Sequence, residues 1–413
     1  MKRIIILFLS LMIGFSQKTS DRFKQENSNS YRSAVEYTFD DIPDNGSYTC
    51  TLSGVHGNIS IYGHPGSGVH LIIDRQVRAM DNKNAINILE RNQIQVFHIS
   101  DDKVVAIKRM GYRYENKIQS HFIIHLPINT NITAESRGGD INIREIRGRI
   151  ELRTKGGDIE LKQLSGKITA NTGGGDIQVD QSDGVLNLHT SGGGINISQS
   201  NGEFDTSIYG GDMSLVQLKG NINASVIGGN INLKSIDGDT VTCNISGGDL
   251  IAQTLNASLI GQIKGGDIDL KNIRGSIDVN TSGGDIKLED IYGSATCSTS
   301  SGEIQGNNLF GAIKAFTTRG NIEVEKAYDS SLKDHSINVE TSDGEITIVI
   351  PDGLPVTIDA EVMGMSSRDA ITSDIPLVEK VFSNRIYGSG IIKNGVVPCS
   401  IKASNGPITI KKY

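Results

Sequence analysis

One short signature returns along the middle of this chain at a fixed interval: a glycine, then most often Asp, then an apolar residue. Taking the residue after the glycine as a marker, the copies stand at Asp140, Asp158, Asp176, Gly194, Asp212, Asn230, Asp249, Asp267, Asp285, Glu303 and Asn321. Every step is 18 residues except Asn230 to Asp249, which is 19. Glycine precedes every marker, and an apolar residue, usually Ile, follows it. A period this strict decides the architecture before any residue propensity does.

Inside one unit the apolar residues alternate with polar ones. Ile159 and Leu161 form a pair, Leu164 follows, Gly166 marks a corner, and Ile168, Ala170 and Thr172 alternate again. Glu160, Lys162, Lys167, Thr169 and Asn171 lie between them. This is the period of a strand broken at glycine corners, with no competing helical period. A unit of 18 residues cannot bury its own apolar face, but stacked copies can. The expectation is an all-β, single-stranded parallel β-solenoid (β-helix) with 18-residue coils, capped at both ends. Right-handed coiling follows by analogy with the crossover rule, and a strand spacing of about 4.8 Å makes the stacked copies a rod of roughly 50 Å. Cys243 and Cys297 fall six residues before markers, at the ladder place held elsewhere by Leu152, Ala170, Leu188, Ala224, Val279 and Ala315. Three coils apart, roughly 14 Å, they are out of disulfide range and read as small buried apolar residues. Whether Cys50 and Cys399 pair is left open.

At the corners, glycine supplies positive φ without a Cβ clash, and the Asp after it can accept backbone N–H bonds as in an Asx turn. The alternative is a calcium ladder, since repeat-in-toxin β-rolls also use coils of about 18 residues built from two nonapeptides. Here the second corner carries a single Gly, at Gly148, Gly166, Gly184 and Gly220, with no matching Asp. The row also tolerates Gly194, Asn230, Glu303 and Asn321. The turn reading is therefore preferred, no metal ligand is assigned, and loose counter-ion binding along the Asp row stays open.

The ends are less regular. Lys2 and Arg3 followed by the apolar run Ile4 to Ile13, with small Gly14 and Ser16, read as a secretory signal over 1–16. Residues 17–135 read as a β-rich N-terminal cap, 136–326 as the regular repeat, and 327–413 as C-terminal coils and a cap with an irregular insertion at 352–395. Asn84 to Asn92 is the one short helix expected; Gln93 to Met110 and Ser120 to Leu126 read as strands, and "GHPGSG" from Gly63 as a turn rather than a phosphate cradle. The formal net charge of −7 and the lack of a basic stripe speak against nucleic acid.

The Gly-Asp-Ile repeats, the stretch "HFIIHLPINTNITAESRGGDINI" from His121 and the closing "SIKASNGPITIKKY" together resemble the putative-adhesin β-strand-repeat family, a domain-of-unknown-function group common in exported bacterial proteins. The resemblance covers about residues 45 to 413. It implies adhesion and supplies no catalytic residues.

Little else invites chemistry. His121 and His125 are four apart, but "HFIIHL" reads as a strand, which puts the imidazoles about 13 Å apart. No G-x-S-x-G elbow and no CxxC pair occur, and acidic pairs such as Glu289-Asp290 read as solvated surface. The outward rows Asp205, Asn223, Thr242, Asp278, Thr296 and Asn171, His189, Ser207, Ser225, Asn244, Asn280, Ser298 could meet an extended glycan, although no aromatic platform is apparent. The expectation is an exported, non-enzymatic protein without cofactor or catalytic residue, located in the periplasm, on the outer surface or outside the cell. It presents rigid polar faces to a partner, a glycan or a cell-surface protein; the mature chain carries no transmembrane span. A periplasmic scaffold is the alternative, and a carbohydrate-active β-helix enzyme the lesser one. The segment 352–395 is the place for an unsuspected site.

Overall fold

The computed structural model describes residues 13–14, 17–111, 115–365 and 368–413. Most of the expected signal lies outside the described residues; of it, Ile13–Gly14 pair antiparallel with Ile99 and His98. The chain is all-β, with one α-helix among the described residues. It divides into two compact units, Met1–Gly193 and Gly194–Tyr413.

In the first unit the strands form two rows. One row holds the residues after each marker: Ile141–Arg144, Ile159–Lys162 and Ile177–Asp180 pair in parallel, Ile141 opposite Ile159 and Ile159 opposite Ile177. The other row holds the second half of each unit: Asn131–Ser136, Arg147–Thr154, Ser165–Thr172 and Asp183–Thr190, again parallel and in step. Each strand thus bonds to its own equivalent one repeat away, which is how the period becomes a fold. Ile159, Leu161, Leu164, Ile168 and Ala170 are all buried, as the alternation requires. Burial of each aliphatic side chain is worth about 1.5–3 kcal/mol, so the ladder of Ile and Leu dominates stability.

Toward the N-terminus both rows continue without the repeat. Asn58–His64 extends the first row in parallel, followed by Ile118–Pro127, then by Val69–Arg78, Ser30–Phe39 and Gln17–Asn27, which are antiparallel. Thr49–Val55, Val104–Met110 and Gln93–Ile99 extend the second. The expected turn at "GHPGSG" joins Asn58–His64 to Val69–Arg78. The helix runs Asn82–Glu90, two residues earlier than expected, because the Asp81 carboxylate caps it by accepting from the Asn84 N–H at 2.7 Å. Its Ala85 and Ile88 pack with Tyr31, Val77 and Ile118.

The second unit repeats the two-row plan. Ile268, Ile286, Ile304, Ile322, Ile346 and Ile408 stand opposite one another in sequence along one row. The 19-residue step is absorbed by a register shift between Asp237 and Thr240, a bulge that leaves the ladders on either side in phase. Cys243 lies between Ala224 and Gly261, and Cys297 between Val279 and Ala315, as the spacing predicts. All four cysteines are free and buried, including Cys50 and Cys399.

The described residues of the segment 352–395 include regular strands. Val356–Met363 lies parallel to Val397–Ser404, with Val356, Ile358, Ala360 and Val362 buried in strict alternation. Arg385–Ile391 and Val378–Phe382 add to it antiparallel. The expectation of irregular chain followed from the missing glycine markers, although Val356–Met363 keeps the strand alternation. The closing stretch continues both rows in parallel: Cys399 faces Ile337, and Ile408 faces Ile346.

Candidate functional site

The repeated Asp has a definite job. Its Oδ1 accepts the backbone N–H of the next marker: Asp140 from Asp158 at 3.0 Å and Asp158 from Asp176 at 2.8 Å in the first unit. In the second, Asp212, Asn230, Asp249, Asp267 and Asp285 accept in the same way, each at 2.8 Å, from Asn230, Asp249, Asp267, Asp285 and Glu303. The bond runs between copies rather than within one corner, as an Asx turn would have it. Asn230 makes it as well as Asp does, so the amide or carboxylate oxygen is what matters and not the charge.

The glycine before the marker answers to contact more than to φ. A Cβ on Gly157 would lie 2.1 Å from the carbonyl oxygen of Gly139, and one on Gly284 only 1.9 Å from that of Gly266. Positive φ occurs at some copies, such as Gly139 and Gly229, but not at all of them. In every repeat but the last, a left-handed residue that is not glycine sits five places after the marker: Glu145, Gln163 and Gln181 in the first unit, and Gln199, Gln217, Ser235, Thr254, Asn272, Asp290 and Asn308 in the second, with φ of 50–60°. Enrichment in Gln, Asn and Asp at one place in the period was the available signal.

A third row was also missed. Thr172 donates its hydroxyl to the Gly157 carbonyl at 2.8 Å and accepts the Gly175 N–H at 3.2 Å, linking adjacent copies. Thr154, Thr190, Thr281, Thr299, Thr317 and Thr341 bond in the same register. The acidic pair is consumed likewise. Glu289 takes the Lys271 ammonium at 2.7 Å, and Asp290 forms the left-handed corner while accepting from Asn308.

The polar rows stand as expected in register, Asp205 opposite Asn223 and Asn280 opposite Ser298. Exposed Ile260 and Phe316 interrupt them. One stacked aromatic pair bridges adjacent copies: Tyr292 and Phe310 stack at 4.4 Å between centroids, with the Arg274 guanidinium over Tyr292. The ring faces are spent on one another, so the pair ties copies together rather than offering a platform.

His121 and His125 share the strand Ile118–Pro127. His121 shares a 2.8 Å hydrogen bond with the Ser60 hydroxyl, while His125 stacks against Tyr62 and lies beside His70. Burial, then the neighbouring His70 and His64, lowers the basicity of His125. No group of three or more potential metal-ligating side chains is found among the described residues.

A further concavity lies in the first unit, where the N-terminal strands meet the start of the repeat at Gly138. It is a polar cleft of about 550 Å³ lined by Glu26, Arg32, Asn58, Asp74, Gln76 and His121 among others. Arg32 forms a two-pronged bond to Asp74, with its Nε 2.7 Å from Oδ1, and reaches Glu26 at 3.7 Å. The Gln76 amide donates to Glu26 and to the Ser30 hydroxyl, both at 3.1 Å. Nothing in the period marks this cleft, which is why the repeat reading passed over it.

An all-β repeat protein whose repeat polar groups bond one copy to the next is the class these features define. Residues 266–411 match the model of the Toastrack family, DUF4097, within the stretch that resembles a putative-adhesin domain. Two solved structures are similar to this chain. One is a putative cell adhesion protein from Clostridium sporogenes ATCC 15579, 12% identical, covering 92% of this chain and 99% of its own, with a TM-score of 0.16. The other is a putative adhesin from Parabacteroides distasonis ATCC 8503, 11% identical, covering 76% and 96%, with a TM-score of 0.19. No curated protein matches the chain. Among the described residues no helix is long and apolar enough to cross a membrane.

Proposed function

We propose that this chain is an exported, non-enzymatic binding protein of the adhesin type. It is built as a single-stranded, right-handed parallel β-solenoid whose segments 17–135 and 327–413 cap the repeat array of 136–326. The observation that carries the reading is how the repeat spends its polar groups. Marker carboxylates and threonine hydroxyls, the reactive-looking residues of the array, are committed to backbone groups of neighbouring copies. Such an array serves as a rigid support, and contact with a partner falls to its outward polar rows and its ends. The C-terminal match to the Toastrack family is consistent with a protein of this kind.

Protease treatment of intact cells of the source organism tests the placement. Cleavage with the envelope intact supports display at the surface. Protection until the outer envelope is broken would overturn the adhesin reading and leave a periplasmic scaffold.

A further inference from the structure

We infer that the cleft of the first unit is a binding site for a neutral, hydroxyl-rich ligand, a glycan segment of one or two sugar rings; this rests on the binding-protein reading above. The argument begins with strand register. Asn58 stands opposite His121, and His121 opposite Asp74, giving one cross-strand row. Gln119 stands opposite Gln76, and Gln76 opposite Arg32, giving a second. Because Gln119 and His121, and likewise Gln76 and Asp74, are two residues apart on their strands, both rows occupy one face of the sheet. The result is a grid of six planar polar side chains, about 5 Å apart across the strands and about 7 Å apart along them. All six line the cleft, whose volume of about 550 Å³ is of the size that holds small ligands.

The chemistry of the grid selects the ligand. Both carboxylates are already engaged: Arg32 holds Asp74 in a two-pronged pair and reaches Glu26. Arg32 offsets one of the two negative charges, which leaves no free guanidinium for a phosphate and a residual negative charge that disfavours acidic ligands, while neither carboxylate is left unpartnered for a cation. The remaining groups are neutral and mixed in sense. The Asn58 side-chain oxygen is taken by the Asp140 N–H at 3.0 Å, which leaves its amide as a donor. Gln76 uses its amide on Glu26 and Ser30, which leaves its carbonyl as an acceptor. Gln119 is exposed and offers both. Donors and acceptors interleaved at this spacing match a polyol, whose hydroxyls each give and take a bond. Carboxylates pinned by an arginine keep fixed directions, so they can accept from hydroxyls with little loss of side-chain freedom.

Saturation-transfer NMR on the full chain, with maltotriose, cellotriose and chitotriose as neutral probes and trigalacturonate as the acidic one, tests the inference. The expected result is transfer to at least one neutral probe and none to trigalacturonate. Gln119→Ala should weaken that binding by about tenfold, and Gln119→Trp, which fills the cleft, should abolish it, both with unchanged circular dichroism. Lys83→Ala, exposed on the helix Asn82–Glu90 and outside the cleft, should have no effect. No transfer to any neutral probe, or preference for the acidic one, overturns the ligand class. Binding that survives Gln119→Trp overturns the location. Neither outcome depends on cell-surface accessibility, so failure here and failure of the display reading are separable.

Discussion

Gly283 and Gly284 are neighbours under different constraints. A Cβ at Gly283 would meet nothing within 4 Å, whereas at Gly284 it would lie 1.9 Å from the Gly266 carbonyl. Gly284→Ala should therefore cost about 2–4 kcal/mol and Gly283→Ala within about 0.5 kcal/mol, read by chemical denaturation. Equal costs would mean that backbone conformation, rather than contact between copies, selects the glycine. Lys326 is the other exceptional residue. It faces Leu309, in an apolar ladder, and is fully buried, with its ammonium donating to the Gly311 carbonyl. Burial brings its pKa down from 10.5 to about 8, against the smaller opposing pull of Asp334 and Cys399. Between those values the unfolded chain binds more protons than the folded one, so this residue's contribution makes stability rise with pH there, and its penalty is complete below pH 8. Lys326→Met should stabilise the protein by about 2–3 kcal/mol at neutral pH, with the gain shrinking from pH 8 upward. A gain that stays constant to pH 10 would show that charge burial is not the cause.

At the scale of elements, the corner and the edge carry the tests. Thr254 is a β-branched residue at φ 60°, in a row otherwise held in the second unit mainly by Gln, Asn, Asp and Ser. Thr254→Asn should raise stability by about 1 kcal/mol in thermal melts, since Asn tolerates the left-handed region far better. Val378–Phe382 is an edge strand, paired on one side only to Arg385–Ile391, and all five of its residues are exposed. Lys380 is the cationic residue in its middle, the device that keeps such edges from pairing. Lys380→Val should promote self-association, visible as a concentration-dependent shift in size-exclusion elution without loss of stability. The elements also show what the sequence could disclose. Strand identity, parallel pairing within each unit and the buried Cys243 and Cys297 all follow from the period, because each residue's neighbour is its own equivalent one copy away. Val356–Met363 keeps the alternation but the segment 352–395 loses the marker, so a reading tied to the marker passed over its strands. The cleft brings together residues 26, 32, 58, 74, 119 and 121 by parallel and antiparallel pairing of distant strands, and no local pattern announces which strands will meet.

For the molecule as a whole, the question is whether the repeated carboxylate is a structural tab or a metal ligand. Oδ1 of Asp267 and of Asp285 is occupied by the backbone N–H of the following marker, and Asn230 fills the same role without charge. We propose that a stack fastened this way folds on its backbone bonds and apolar ladders without an ion between its copies. The direct measurement is a thermal melt of the metal-stripped chain with and without millimolar calcium, run beside Asp267→Asn. The account predicts the same midpoint in calcium and in chelator, and an Asp267→Asn variant within about 0.5 kcal/mol of the parent. A midpoint that climbs with calcium, and no longer does so in Asp267→Asn, would contradict it and make the marker row an ion ladder.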